Sequence, residues 1–460
     1  MVSRRRVITL GVAANAYGQA VSVLVQILTI PVLLSAWGAQ LYGEWLIVST
    51  IPAYLALADL GLSAVGANEM TMLYARGDFA RVAILYKSVR FIILLASIIF
   101  AAIVIAVAYA FPIGHIFSLS ILRDDQIVGI VTVLSIYTIF SLQGSVMDGA
   151  YRASGKYALG TMITNTVRLV EWMAVVGVAI LGATPIQVAL ALLIARGIGL
   201  IVSVFILRRT VDWIKSVLCK PSMDAVRSLL KPAAAYLVML SGNALSIQGI
   251  QLIVGALASP VAVAIFSVYR TLGRLMLQGV NLVNHALWPE FSRLYGLGNL
   301  TLLRLYFLRS IAFSIWFSIA SVIFLMIAGD SIIDLWTKGR IGYDDHLLFL
   351  LLLGSAIGCC WQTAKVVLLA TNLHWKVGWV YLLSAVLSVS IAALLVSSDN
   401  IHGVAIAIIV GELLAAIVFV RWALIVIGGD MRGLGRMLLR PKAILYGPNS
   451  EKKAKTEDVR

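Results

Sequence analysis

Charge is scarce in this sequence: of 460 residues only 12% are Asp, Glu, Lys or Arg, while 61% are hydrophobic. So small a charged fraction excludes a disordered chain, and a mean hydropathy of +0.98 excludes a soluble globular one. Cysteine is nearly absent. The three, Cys219, Cys359 and Cys360, include an adjacent pair inside an apolar run, so neither a disulfide framework nor zinc-ligand spacing exists. Phosphate-cradling glycine loops and a Ser-His-Asp arrangement are missing too, which removes an energy-coupling ATPase and a hydrolase. Acidic residues are fewer than basic ones, 21 against 36, for a net charge of +15. No basic stripe with interleaved aromatics accompanies that excess, so nucleic acid is not the partner.

What is present is a series of long apolar runs. A bilayer-spanning helix takes about 20 apolar residues. The runs predict spans near 8–34, 44–66, 91–111, 127–149, 158–181, 186–207, 233–257, 262–289, 310–328, 347–370, 377–396 and 402–427. The fold class expected is therefore an all-α integral membrane protein with twelve transmembrane helices. Loops after the second, fourth, sixth, eighth and tenth spans hold 16 Lys or Arg, whereas the opposite loops hold only Arg123, Lys338 and Arg340. By the positive-inside rule both termini face the cytoplasm. Ser3-Arg4-Arg5-Arg6 leads into an apolar run too long for a signal peptide, and a retained first helix is expected.

The longest inner connection divides the chain into lobes at 1–207 and 232–427, with a cytoplasmic linker at 208–231 and a basic tail at 428–460 that meets anionic lipid headgroups. Sliding one lobe over the other by 224 positions matches Gly18 with Gly242, Ala20 with Ala244 and Ser22 with Ser246. Parallel repeats of this kind are a transporter device, with the substrate site between the halves.

The segment from Trp37 to Leu62 carries WGAQLYGEW and then, after an apolar stretch, LADLGL. In Gly38, Tyr42-Gly43, Trp45 and Asp59-Leu60-Gly61 it resembles the polysaccharide-transporter branch of the multidrug/oligosaccharidyl-lipid/polysaccharide exporter superfamily, which includes the O-antigen (Wzx-type) flippases. That resemblance implies two six-helix lobes around a central cavity. It also implies transport of a polyprenyl-pyrophosphate-linked glycan from the inner to the outer leaflet of a bacterial cytoplasmic membrane, in company with other polysaccharide assembly proteins.

The residues point the same way on their own. The eighth span bears Ser267, Arg270, Arg274, Gln278, Asn281 and His285 at helical spacing, within an arc of roughly 80°. The first bears a second polar seam, Asn15, Gln19, Ser22, Gln26 and Thr29. Polar faces in lipid must turn inward. An ionised side chain at the bilayer centre costs at least about 2.5–3.5 kcal/mol, so each buried charge needs a partner, a wet cavity or a route out. Arg168 and Glu171, spaced i, i+3, form a structural pair on one helix. Arg196 either shares Glu171 across helices or faces the cavity and its substrate. Arg270 and Arg274 have no carboxylate on their own helix before Glu290. Their planar donor forks match phosphate oxygens, and the alternative is neutralisation by Glu412 from another helix. The substrate-binding set expected is thus Arg270, Arg274, Gln278, Arg196, Asn15, Gln19 and Gln26. Asp59, His285, Asn281 and Glu412 form the coupling or gating set, with H+ or Na+ as the coupling ion and no other cofactor.

Three other readings compete, the first being the lipid II flippase branch of the superfamily, which typically has fourteen spans and so fits twelve less well. An ion-coupled multidrug exporter of the same superfamily is opposed by the cationic cavity and by a first span with Asn15 and Gln19 but no acid. A membrane-embedded polysaccharide polymerase or ligase needs a large outer domain, yet the outer loops near 112–126 and 329–346 have fewer than twenty residues.

Overall fold

A computed structural model describes residues 4–216, 220–371, 373–396, 401–429 and 435; the side chains of 4–8, 215, 216, 285, 286 and 289 fall outside the described residues, as does nearly all of the basic tail. No strand occurs among the described residues. Eleven helical stretches among them are long and apolar enough to cross a membrane. The first of these, Thr9–Ala75, has 67 residues and would run about 100 Å if straight, over three bilayer cores. It is not straight. Inside helix α1 (Arg4–Ala53) Gly38 has φ 74° and ψ 175°, a conformation that only glycine adopts at no cost. The chain reverses there, so the eleven stretches make twelve crossings.

The second crossing continues through a short tight helical segment, Tyr54–Asp59, and the turn Leu60-Gly61 into α2 (Leu62–Ala75). Then follow α3 (Phe79–Ala110), α4 (Asp124–Ala153), α5 (Tyr157–Ile180), α6 (Pro185–Thr210) and α7 (Leu230–Leu257, with a π turn at Leu245–Gly249). The rest are α8 (Pro260–Gly296), α9 (Leu300–Thr337), α10 (Asp345–Ala370), α11 (His374–Leu395) and α12 (His402–Val426). Their starts are written in the sequence. Asp78 accepts a hydrogen bond from Arg81 N at 3.1 Å, Asp344 accepts one from Leu347 N at 2.9 Å, and Thr184 with Gln187 makes a capping box ahead of Pro185.

By internal contacts the chain forms two compact units. The first comprises Met1–Val268, Ile333–Gly342 and Val396–Asn400; the second comprises Tyr269–Ile332, Tyr343–Leu395 and Ile401–Arg460.

In the first unit the motif residues of the WGAQLYGEW stretch are structural. A Cβ on Gly43 would meet the Pro260 carbonyl oxygen at 1.8 Å, so glycine lets α1 touch the start of α8. Glu44 is fully buried, and its carboxylate accepts from the backbone N–H groups of Ser120, Ile121 and Leu122 at 2.8–3.2 Å. That cradle ties α1 to the connection before α4. Gly61, at φ 74°, brings the Asp-Leu-Gly turn against Ala233 and Tyr236 of α7.

The second unit is built on small residues. Gly354 and Gly358, one turn apart on α10, face Ile408 and Glu412 of α12, and Gly411 of α12 packs on Ser384 and Ser388 of α11. Without bulk between them the backbones approach closely, as packing in lipid requires. Phe291, Phe307, Val367 and Phe419 fill the core beneath.

Candidate functional site

Two polar regions lie inside the membrane segments, one in each unit. In the second, Arg270 stands ten residues into α8 and Glu412 ten residues into α12. Ten residues rise about 15 Å, half of a roughly 30 Å hydrocarbon core. The Gly354/Gly358 contact presses α12 onto α10 and fixes the carboxylate: a Cβ on Gly358 would lie 3.1 Å from Glu412 Oε2 and 3.3 Å from Leu277 Cδ2. Because Leu277 is less than one turn beyond Arg274, the arginine ladder and the carboxylate share this level. The Trp361 indole N–H donates to Glu412 Oε2. One turn further along α10, Lys365 Nζ lies 5.0 Å from the Trp361 ring and 6.0 Å from the Tyr381 ring, so its ammonium rests on aromatic faces. Glu412 interacts electrostatically with both Arg270 and Lys365.

Of the two alternatives for these arginines, a carboxylate from another helix is present beside Arg270. Arg270 has Glu412 within electrostatic reach and Arg274 as a repelling neighbour. Arg274 is exposed and, among the described residues, has no carboxylate within 4 Å. Gln278 and Asn281 continue the same face, half-buried. His285 lies outside the residues whose side chains are described. The cluster holds three cations and one carboxylate.

In the first unit Glu171 pairs with Arg196 across helices, at 2.5 Å, with side-chain exposures of only 5% and 16%. Tyr137 donates to the same carboxylate, and Arg196 lies 5.2 Å from its ring centre. The pair predicted on one helix, Arg168 with Glu171, is therefore replaced: positions i and i+3 diverge by about 60°, which sends Glu171 toward α4 and α6 and Arg168 toward α1, where it donates to Ser22 at 2.9 Å. Arg196 is held by Glu171 and Tyr137 and also lines the smaller cavity of the first unit.

The polar seam of α1 packs on α5. Asn15 accepts from Tyr157 at 2.8 Å, Tyr17 meets Thr166 at 3.2 Å, and Gly18 lies against Asn165. Gln19 and Gln26 are half-buried on the same helix. Asp59 accepts a hydrogen bond from Ser63 and lines a cavity of about 410 Å³. A second cavity, of about 260 Å³, shares Ser145, Asp148, Thr164 and Asn165 with it. Asp148 accepts from Thr164 at 2.7 Å, and Arg152, one turn on, also lines the larger cavity. Asp148 and Arg152 are absent from the residues expected to carry function. The signal existed, because Ser141, Ser145, Asp148 and Arg152 recur at spacings of 4, 3 and 4. It is hidden when the fourth span is ended at 149, since α4 runs on to Ala153.

No protein-family model matches the chain, and no curated protein matches it in sequence. Among solved structures it is similar to an inward-facing multidrug resistance MATE family transporter of the MOP superfamily, with TM-score 0.70 and 16% identity over 88% of this chain and 98% of that one. The lipid II flippase MurJ in an inward closed conformation gives 0.69 and 12%, over 94% and 90%. A MATE in complex with MaD3S gives 0.61 and 17%, over 92% and 96%. These likenesses define a multi-pass membrane protein with the fold of MOP-superfamily transporters. Twelve transmembrane helices in two lobes fit that fold.

Proposed function

We propose that this protein is a flippase that moves a polyprenyl-pyrophosphate-linked oligosaccharide from the inner to the outer leaflet of the bacterial cytoplasmic membrane, for polysaccharide biosynthesis of the O-antigen or exopolysaccharide kind. The observation that carries the reading is the cation excess in the second unit: Arg270 and Lys365 facing the carboxylate of Glu412, with Arg274 one turn along α8 from Arg270. Three cations held in a membrane interior are costly unless the working cycle brings an anion to them. Two guanidiniums one turn apart offer paired donors for the oxygens of a pyrophosphate, which a lysine alone does not. Gln278 and Asn281 extend the same face toward the saccharide linkage.

In an alternating-access cycle the lobes open inward, the pyrophosphate docks on Arg270 and Arg274, and rocking delivers the glycan outward while the polyprenyl tail stays in lipid. Glu412 is the coupling group, with a proton as the coupling ion. Asp59 acts at the cytoplasmic gate, and His285 is assigned to the same step. Asn15, Gln19 and Gln26 line the path, whereas Arg196 serves the fold through Glu171. Both termini are cytoplasmic.

The test is transport by the full-length protein in proteoliposomes, using a fluorescent polyprenyl-pyrophosphate saccharide placed in one leaflet. Wild type equilibrates it across the bilayer, and Arg270→Ala with Arg274→Ala does not, at equal abundance. Full activity of the double variant sinks the anion-docking reading. A cationic multidrug exporter is the alternative, drawing on the MATE-type fold. It predicts ethidium efflux from cells expressing the protein, and the same cation excess argues against it by repelling cationic drugs.

A further inference from the structure

The joined cavities of the first unit have a different chemistry from the arginine cluster and take no part in the docking of a pyrophosphate described above. Their charged lining is Asp59, Asp148, Arg152, Arg168 and Arg196, and Arg196 is already matched by Glu171 at 2.5 Å. Three guanidiniums thus stand against three carboxylates. An anion gains little from such a balance, and neither does a cation. A metal ion is further disfavoured because no group of three His, Cys, Asp or Glu suited to holding one occurs among the described residues.

The unused hydrogen-bonding capacity is mixed in the same way. Thr164 occupies one oxygen of Asp148 and leaves the other an open acceptor. Arg152 has no ion pair or side-chain hydrogen bond among the described residues and offers donors only. Asn165 donates to the Thr161 carbonyl through its amide nitrogen, which leaves its oxygen as a second acceptor, and Ser145 adds a hydroxyl. A ligand that satisfies acceptors and donors side by side must itself present groups that do both. Hydroxyls do; phosphate oxygens and ammonium groups each supply only half. The aromatic rings of Tyr157 and Tyr236 line the larger cavity and supply flat apolar faces, against which the C–H face of a sugar ring packs. The larger cavity, about 410 Å³, falls in the range of small-ligand pockets, roughly 300–1,000 Å³.

We propose that this cavity of the first unit is a saccharide site, in which Asp148 and Arg152 bind neighbouring hydroxyls of a neutral sugar. The inference rests on the flippase reading for its biological meaning but not for its chemistry. It divides recognition of one cargo: the charged linkage on Arg270 and Arg274, the glycan on Asp148 and Arg152.

The experiment uses the full-length protein in nanodiscs and two probes. Saturation-transfer NMR measures binding of methyl glycosides of glucose, galactose, mannose, rhamnose and N-acetylglucosamine, and inorganic pyrophosphate is titrated against the same preparation. The expected result is a saturable glycoside signal that weakens about tenfold in Asp148→Asn, an isosteric change that keeps the Thr164 hydrogen bond. Arg152→Gln weakens it similarly, and neither variant alters pyrophosphate binding. Arg270→Ala with Arg274→Ala shows the converse, with pyrophosphate lost and glycoside retained. Absence of signal for every glycoside in a preparation that binds pyrophosphate overturns the saccharide site alone. Signal equal in wild type, Asp148→Asn and Arg152→Gln overturns it too, as does displacement of the glycoside by tetraphenylphosphonium. Glycoside binding without pyrophosphate binding removes the anion-docking reading and leaves the saccharide site standing.

Discussion

The two polar regions of this protein contain almost the same residue types and differ in arithmetic. In the first unit three arginines are met by three carboxylates, and one pair, Arg196 with Glu171, is closed so tightly that it belongs to the packing. In the second unit Arg270 and Lys365 share Glu412, and Arg274, one turn from Arg270, has no carboxylate within 4 Å among the described residues. Buried charge left in balance reads as structure or as a site for neutral groups; buried charge left in excess reads as a place reserved for the opposite sign. The difference also explains why a fold shared by exporters of unlike cargo says little about cargo by itself. Identity lies in a handful of side chains.

Erasing the excess has the largest effect. Arg270→Ala with Arg274→Ala is expected to reduce lipid-linked saccharide transport at least a hundredfold while insertion and abundance stay normal, and Arg270→Lys restores only part, because a point charge replaces a fork. Transport assays at matched protein levels decide this. In cells, deleting the gene should cause a polyprenyl-linked saccharide to accumulate on the inner leaflet.

Unbalancing the first unit is next. Glu171→Ala leaves Arg196 buried beside Tyr137 without its hydrogen-bonded carboxylate, a change that costs about 3–5 kcal/mol in comparable buried pairs. Thermal unfolding in detergent should fall by several degrees. Replacing both members, Glu171→Leu with Arg196→Met, should restore much of that loss, and if it also preserves transport then the pair serves the fold alone. A double replacement that is stable but inactive returns Arg196 to the substrate path. Smaller again is Asp59→Asn, which keeps the turn at Leu60-Gly61 but removes a charge from the larger cavity. Transport should persist with an altered dependence on the imposed ion gradient, and an unchanged dependence takes Asp59 out of the coupling set.

Much of this contrast was legible in the sequence, for physical reasons. Long apolar runs and alternating loop charge leave little freedom in the number of crossings, and the polar face of α8 follows from helical period alone. Partner choice was legible only as alternatives, with Glu171 offered to both Arg168 and Arg196 and Glu412 offered to the α8 arginines. Arg168 and Glu171 look paired by spacing, but 60° of rotation sends them to different neighbours, a fact that depends on where α1, α4 and α6 lie. Glu412 meets Trp361 because Gly354 and Gly358 let two backbones close up, and nothing local to Glu412 announces it. The motif residues teach the opposite lesson. Gly43 and Gly61 carry the family resemblance in sequence, and with Glu44 beside Gly43 the structure spends them on a close helix contact, a turn and a backbone cradle.

The finest test of the comparison concerns what the lone carboxylate does when the anion arrives. Among the described residues the charged and titratable groups that act on Glu412 are Arg270 on α8 and Lys365 and Cys359 on α10, with Arg274 and Tyr381 next to Arg270. With Glu412 ionised, it competes with a pyrophosphate for Arg270 and Lys365. With Glu412 protonated, both cations are released to the ligand. Linkage then requires that pyrophosphate binding and proton uptake favour one another. The contribution of Glu412 has one sign: relative to Glu412→Gln, wild-type affinity for inorganic pyrophosphate rises as pH falls through the titration of Glu412, and wild type takes up an additional proton on binding in that window. Glu412→Gln keeps an acceptor for the Trp361 indole but cannot ionise. It should bind at least as tightly as wild type at high pH, with a flatter pH profile and reduced proton uptake measured by calorimetry in buffers of different ionisation enthalpy. A profile in Glu412→Gln as steep as in wild type assigns the coupling proton elsewhere and makes Glu412 a fixed counter-ion; the excess of cation in the second unit would then be permanent rather than switched.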